Sequence, residues 1–200
     1  MPALRALFLL RDKNHGILCP RHARSGFTLA RLGAHNEAAD VFRAAIALRP
    51  KDPDILRGLG NTLVALGQPA QAIEQYERAM REREDVRLFN AIGVAYDKLN
   101  DHKMAQAYYR TGLDTTPGNL NINNNLGLSL MLSGKFDEAI RMLRKVAADP
   151  KSTARQRLNL ALAFGLAGEP EAAAEVARMD LDEASVQRNI AYYETLRALD

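Results

Sequence analysis

Two hundred residues, 47% of them hydrophobic and 26% charged, carry enough apolar material for a sizeable core. The net charge is +3, but residues 1–35 hold +5 of it and the remainder sums to −2, so the body lacks the clustered cations that a phosphate backbone demands and no nucleic-acid partner is expected. A single cysteine, Cys19, excludes an intrachain disulfide, and no apolar run approaches the roughly 20 residues that span a bilayer.

The chain opens on ALRALFLL, interrupted at once by RDKNH, which is too short for a secretory core segment; residues 1–18 read as a basic, disordered segment. His15, Cys19 and His22 would share one face of a continuous helix. Gly16 and Pro20 are expected to break that helix, and a fourth ligand is missing, so no metal site is expected. His35 and His102 stand apart. There is no glycine-rich phosphate loop and no nucleophile–base constellation, so the chain is read as neither an enzyme nor a cofactor carrier.

Further along, the sequence repeats itself. Turn residues recur at Gly33, Gly67, Asn100, Gly134 and Gly168, spaced 34, 33, 34 and 34 apart. Five residues beyond each stands an alanine (Ala38, Ala72, Ala105, Ala139, Ala173), and seven before each a small residue (Gly26, Gly60, Gly93, Gly127, Ala161). An aromatic follows four after the alanine in Phe42, Tyr76 and Tyr109. This layout resembles the tetratricopeptide repeat, in which small residues let two helices approach and stacked pairs bury a shared core. The implied fold is all-α: a right-handed α-α superhelix of five repeats, at 19–52, 53–85, 86–119, 120–153 and 154–187. The last 18 residues, 183–200, break the pattern. There Val186, Ile190, Tyr193 and Leu196 recur at helical spacing beside Glu183, Gln187, Glu194 and Arg197, as expected of a polar-faced capping helix. Tyr192, Tyr193 and Arg188 serve equally well as a docking surface.

In tetratricopeptide stacks the first helix of each repeat lines an inner groove. Carried over position by position, the resemblance implies a peptide-binding groove with a polar rim of Arg57, Asn61, Asn90, Asn124, Asn125, Arg155 and Asn159 over an apolar floor of Val94, Leu128, Leu162 and Met131. Amides can pair with a bound backbone without demanding charge, and arginine can grip a carboxylate. Leu128 and Leu162 serve equally well as packing between repeats, and Arg57 and Arg155 as solvated charges. In LNINNNLG, Asn119 and Asn121 read as cap and turn residues.

NNLGLSLMLSGKFDEAI, RQRLNLALAFGLAGEPEAA and DLDEASVQRNIAYYETLRAL together resemble the TadD family of Flp pilus assembly proteins, over about residues 26–200. The resemblance implies a bacterial, non-catalytic scaffold of the tight-adherence (Tad) secretion system, pilotin-like toward the secretin or bound to another Tad component. It also implies a periplasmic or outer-membrane-associated protein. Leu18 directly before Cys19, and Gly16 three before it, depart from the family's lipidation pattern. If the written N-terminus is the true one, the expectation becomes a cytoplasmic chaperone or adaptor that binds a peptide segment in the groove. Self-association through an exposed apolar end face is a further expectation.

Overall fold

The computed structural model describes residues 15–198. Among these, eleven helices and no strands occur, and the chain divides after Asn100 into two compact units.

The first unit holds α1 (His15–Arg31), α2 (His35–Leu48), α3 (Pro53–Ala65), α4 (Pro69–Glu82) and α5 (Val86–Lys98), each packed on the next. Contrary to expectation, Gly16 and Pro20 do not interrupt α1. A proline removes one backbone donor, and here that loss near the helix start is outweighed by packing of the same helix on α2. The sequence marks the other helix starts plainly. Asp52 caps α3 by accepting from the Asp54 and Ile55 amides at 3.1 and 3.2 Å, with Pro53 in the first turn, and Asp85 caps α5 through the Arg87 amide at 2.9 Å.

The core of this unit is built around absent side chains. The Phe42 ring is fully buried between α1 and α3, where a Cβ placed on Gly26 or Gly58 would lie 2.8 or 2.7 Å from it. Phe27 meets the same ring edge-on at a centroid distance of 5.0 Å. In the next pair the Tyr76 ring occupies the place of a Gly60 Cβ, 2.3 Å away. Ala38 and Ala72, the small residues of the second helices, are fully buried.

The second unit comprises α6 (His102–Thr115), α7 (Leu120–Leu132), α8 (Phe136–Ala147), α9 (Ala154–Ala167), α10 (Pro170–Ala177) and α11 (Glu183–Arg197). Asp101 caps α6, Asn119 caps α7 through the Asn121 and Ile122 amides, and Thr153 with Gln156 forms a reciprocal capping box on α9. Asn119 thus takes the cap duty read for it. Asn123 returns its amide to the Pro117 and Asn119 carbonyls. Leu143 fills the place of a Gly127 Cβ, as Tyr76 does for Gly60. The turn residues Gly33, Gly67, Gly134 and Gly168, together with Asn100, all adopt positive φ, the left-handed conformation with which helices end.

α10 has only 8 residues, and α11 packs on both α9 and α10. Asp182 starts α11 by accepting from the Ser185 amide at 2.7 Å. Val186 and Tyr193 are buried, and Ile190 packs on a small cluster of Ala161, Ala174, Ala177 and Val186. The alternative that both tyrosines form a docking surface is therefore corrected. Tyr193 is 6% exposed and seated against α9, whereas Tyr192 is 58% exposed. Two ion pairs hold the turn before α11: Arg157 grips Asp180 with contacts of 2.6 and 2.8 Å, and Arg178 grips Glu183 at 3.0 and 3.1 Å.

The seat of Tyr193 depends on Gly165. A Cβ there would lie 2.3 Å from the ring and 2.7 Å from the Tyr193 Cβ, the root of the side chain, so α11 itself would have to move. Gly165→Ala is therefore expected to destabilise the second unit by about 1–3 kcal/mol, a fall in melting temperature of roughly 5 °C. Gly118 has no atom within 4 Å of such a Cβ, and Gly118→Ala should leave the melting temperature nearly unchanged. Calorimetry of the two variants checks this; equal melting curves would remove the packing argument.

Candidate peptide-binding face

The residues expected to line a groove fall on the first helices of successive pairs: α3 and α5 in the first unit, α7 and α9 in the second. Each unit is a separate case.

In the first unit, Arg57 is half-buried and already faces an acid of its own helix, with Nη2 to Asp54 at 3.3 Å. Asp54 also receives Arg83 at 3.0 Å and has Arg87 at 3.8 Å. Burial pushes the Asp54 carboxyl up, but hydrogen bonds from Arg83 and Arg57 outweigh it and hold the group below its ordinary range. Arg57 is therefore not an open clamp for an incoming carboxylate. It belongs to a charge network of Asp54, Arg83, Asp85 and Arg87, which lies at the start of α3 and α5.

Asn61 is exposed, but its Oδ1 accepts from the Tyr76 hydroxyl at 2.8 Å. Its carbonyl oxygen thus helps fix the buried ring, whose phenol burial pushes well above its ordinary value. Asn90 and Val94 are half-buried on α5. The reach of side chains around the capping acid is a feature the groove reading missed. Asp85 and Arg87 make a side-chain pair across the first turn of α5, in addition to the backbone cap.

The second unit brings the expected residues together. Asn159 on α9 donates from Nδ2 to Asn124 Oδ1 on α7 at 2.8 Å, and Asn124 Nδ2 donates to Asn125 Oδ1 at 3.3 Å. Three amides thus form a continuous ladder across two helices. Asn124 is only 9% exposed, whereas Asn125 and Asn159 are half-buried and reach the surface. A hydrogen-bonded chain in such surroundings is stronger than the same bonds in water and fixes the helices' register. The Asn159 carbonyl oxygen accepts nothing among the described residues, which leaves it for an incoming N–H. Leu128 and Leu162 lie half-buried beside the ladder, one turn further along their helices. Arg155 is exposed at the start of α9 and makes no ion pair among the described residues. The arrangement can hydrogen-bond an extended backbone, seat apolar side chains and attract a carboxylate at one end.

Among the described residues no His, Cys, Asp or Glu cluster has metal-binding geometry. The His15–Cys19–His22 spacing lies outside the described side chains.

Such paired helices with buried small residues, bearing a polar strip on their first helices, define a helical-repeat binding protein. The sequence matches the tetratricopeptide repeat family over residues 29–92, 86–119 and 124–186, and the chain belongs to that family. Among curated proteins it is 33% identical over 99 residues to the uncharacterized protein y4yS of Sinorhizobium fredii, a match covering 49% of this chain and 54% of that protein. The chain spans 54% or less of the length of the curated relatives it matches. Among solved structures it is similar to TTC0263, a thermophilic TPR protein of Thermus thermophilus, with a TM-score of 0.73 at 20% identity over 88% of this chain and 99% of that one. Pseudomonas aeruginosa pilF gives 0.71 at 16% identity, covering 94% of each chain. YrrB, a TPR protein with an unusual peptide-binding site, gives 0.63 at 20% identity over 84% of this chain and 89% of that one. At these identities the structural likeness speaks for the fold alone.

The charge network carries its own pH signature. Hydrogen bonding from the Arg87 guanidinium is the chief cause that holds the Asp85 carboxyl at about 2, below its ordinary 3.8. Because the folded value is the lower one, this stabilisation is complete above the ordinary value and is lost as pH falls from about 4 toward about 2. Asp85→Asn keeps a cap acceptor and removes the charge. The variant should melt lower than the parent at neutral pH, and the difference should shrink through that window; a constant difference in calorimetry would contradict the assignment.

Proposed function

We propose that this chain is a non-catalytic scaffold that holds a peptide segment of a partner protein on the α7–α9 face of its second unit. The observation that carries the reading is the Asn159–Asn124–Asn125 ladder, lying beside Leu128 and Leu162. Tetratricopeptide proteins typically work as binding scaffolds rather than catalysts. A ladder of neutral amides suits a backbone, whose donors and acceptors alternate, better than it suits a charged small molecule.

The finer reading rests on the resemblance of Arg155–Leu199 to the TadD family. It supports a role in Flp pilus assembly within the Tad secretion system, pilotin-like toward the secretin or bound to another Tad component. It supports a periplasmic or outer-membrane-associated location as well. In the tail that carries this resemblance, Val186 and Tyr193 are committed to the core, while Arg188 and Tyr192 remain at the surface.

A photo-cross-linking residue in place of Leu162, in natively expressed protein, tests both levels. Mass spectrometry would read the captured peptide and the protein's own N-terminal peptide. Capture of a secretin or another Tad component, with a processed N-terminus, is the expected result. Cytoplasmic partners with an intact Met1 would overturn the pilus reading and leave a peptide-binding chaperone or adaptor. No captured segment at all would overturn the binding face.

Two substitutions separate binding from folding. Asn159→Ala, at the accessible end of the ladder, should weaken the captured segment's affinity by about tenfold and cost about 1–2 kcal/mol of stability, because the buried Asn124 Oδ1 loses its donor. Asn124→Ala should weaken affinity with a smaller loss of stability, about 1 kcal/mol or less, because the Asn125 and Asn159 amides it leaves behind reach the surface and can bond to water. Isothermal titration beside thermal melts distinguishes these outcomes; affinity unchanged from the parent in both variants would return the ladder to a purely structural role.

A further inference from the structure

Away from the amide ladder, a crevice of about 380 Å³ opens between α6, α7 and α8. Its mouth carries Arg110 from α6 and Arg141, Arg144 and Lys145 from α8, against one acid, Glu138. Its depth is apolar, with Leu126 and Leu130 of α7, each 2% exposed, below the half-buried Met142. Glu138, Arg141, Met142 and Lys145 follow at helical spacing, so they form one stripe along α8.

What sets this crevice apart is uncompensated charge. Arg157 and Arg178 elsewhere in the unit are held in close ion pairs. Arg110, Arg141, Arg144 and Lys145 are all exposed, and none of them has an ion pair among the described residues. Arg144 instead lies over the Phe164 ring at 5.1 Å, which holds its guanidinium in place without neutralising it. The excess is local. Residues 101–200 hold 12 Lys and Arg against 13 Asp and Glu, so no basic track continues beyond the crevice as a phosphate backbone would require. Its apolar part is recessed rather than raised, which suits one inserted side chain and not the plane of a bilayer.

We propose that this crevice is a second docking site, which takes an acidic amphipathic helix of a partner protein. An apolar side chain enters toward Leu126 and Leu130, and carboxylates on either side of it meet Arg110, Arg141 and Lys145. Charge complementarity selects the partner and speeds its encounter, while the apolar floor supplies desolvated contact. The site shares no side chain with the ladder of Asn124, Asn125 and Asn159, so each stands or falls without the other.

The test uses the full chain and fluorescence anisotropy with a fluorescein-labelled synthetic helical peptide. The peptide carries a central leucine flanked by glutamates three and four residues away; its twin has glutamine at each glutamate. The glutamate peptide should bind about tenfold more tightly than the glutamine peptide, and added sodium chloride should narrow the gap. Arg141→Glu with Lys145→Glu should weaken binding by about tenfold, and Arg110→Glu, on a different helix, by about threefold. These exposed substitutions should leave the circular dichroism unchanged, and Asn159→Ala should not alter the affinity. Equal binding of the two peptides, or unchanged binding by the charge-reversed variants, would overturn the site. So would binding of phosphatidylglycerol vesicles or a single-stranded oligonucleotide in place of the peptide.

Discussion

Everything in this protein depends on how near one helix can come to the next, and that distance is set by a missing Cβ. Tyr76 lies where a Gly60 side chain would begin, Leu143 where a Gly127 side chain would begin, and Tyr193 where a Gly165 side chain would begin. Glycine within a helix costs about 1 kcal/mol relative to alanine. The cost is offset because a ring or a branched side chain then packs directly on the backbone, at close to crystalline density. The alanines five residues beyond each turn do the same from the second helix, and all are fully buried. Within each unit a helix pair leaves an apolar side for the helix that follows, and in the second unit α11 packs on α9 and α10.

This constraint explains why the fold was legible in the sequence. Small residues in register, with turn residues between them, state the packing directly, and the five turn residues all adopt the expected left-handed conformation. The amphipathic face of the final helix was likewise legible from Val186, Ile190, Tyr193 and Leu196. Less legible were features that depend on what a polar side chain meets. Arg57 read as a groove cation, yet Asp54 of its own helix and Arg83 beyond it determine its surroundings. Pro20 read as a break, but tertiary packing carries α1 through it. The basic crevice is not legible in the repeat pattern because its cations stand on α6 and α8, outside both the first-helix groove positions and the final helix.

The same spacing that packs the core also decides where function can lie. Once one side of α7 and α9 is committed to small-residue contacts, another side is free to carry asparagines, and neighbouring helices then stand near enough for an amide on one to reach an amide on the other. The ladder is therefore a product of the repeat: Asn124 and Asn159 are 35 residues apart and meet at 2.8 Å. If the proposed binding face is right, hydrogen bonds already formed between these amides limit the ordering cost of binding. Charged groups are distributed differently. They cap helices and fasten the turn into α11, and four cations without ion pairs among the described residues surround the crevice on the other helices.

The most direct test of this account is a side-chain amide spectrum of the ¹⁵N-asparagine-labelled full chain, titrated with the peptide segment captured at position 162. The account predicts that the Asn125 and Asn159 amide resonances shift together and saturate with binding. The Asn123 resonance, tied to the Pro117 and Asn119 carbonyls, should stay in place. Saturable binding that leaves Asn125 and Asn159 unmoved would contradict it and place the partner on another surface of the repeat stack.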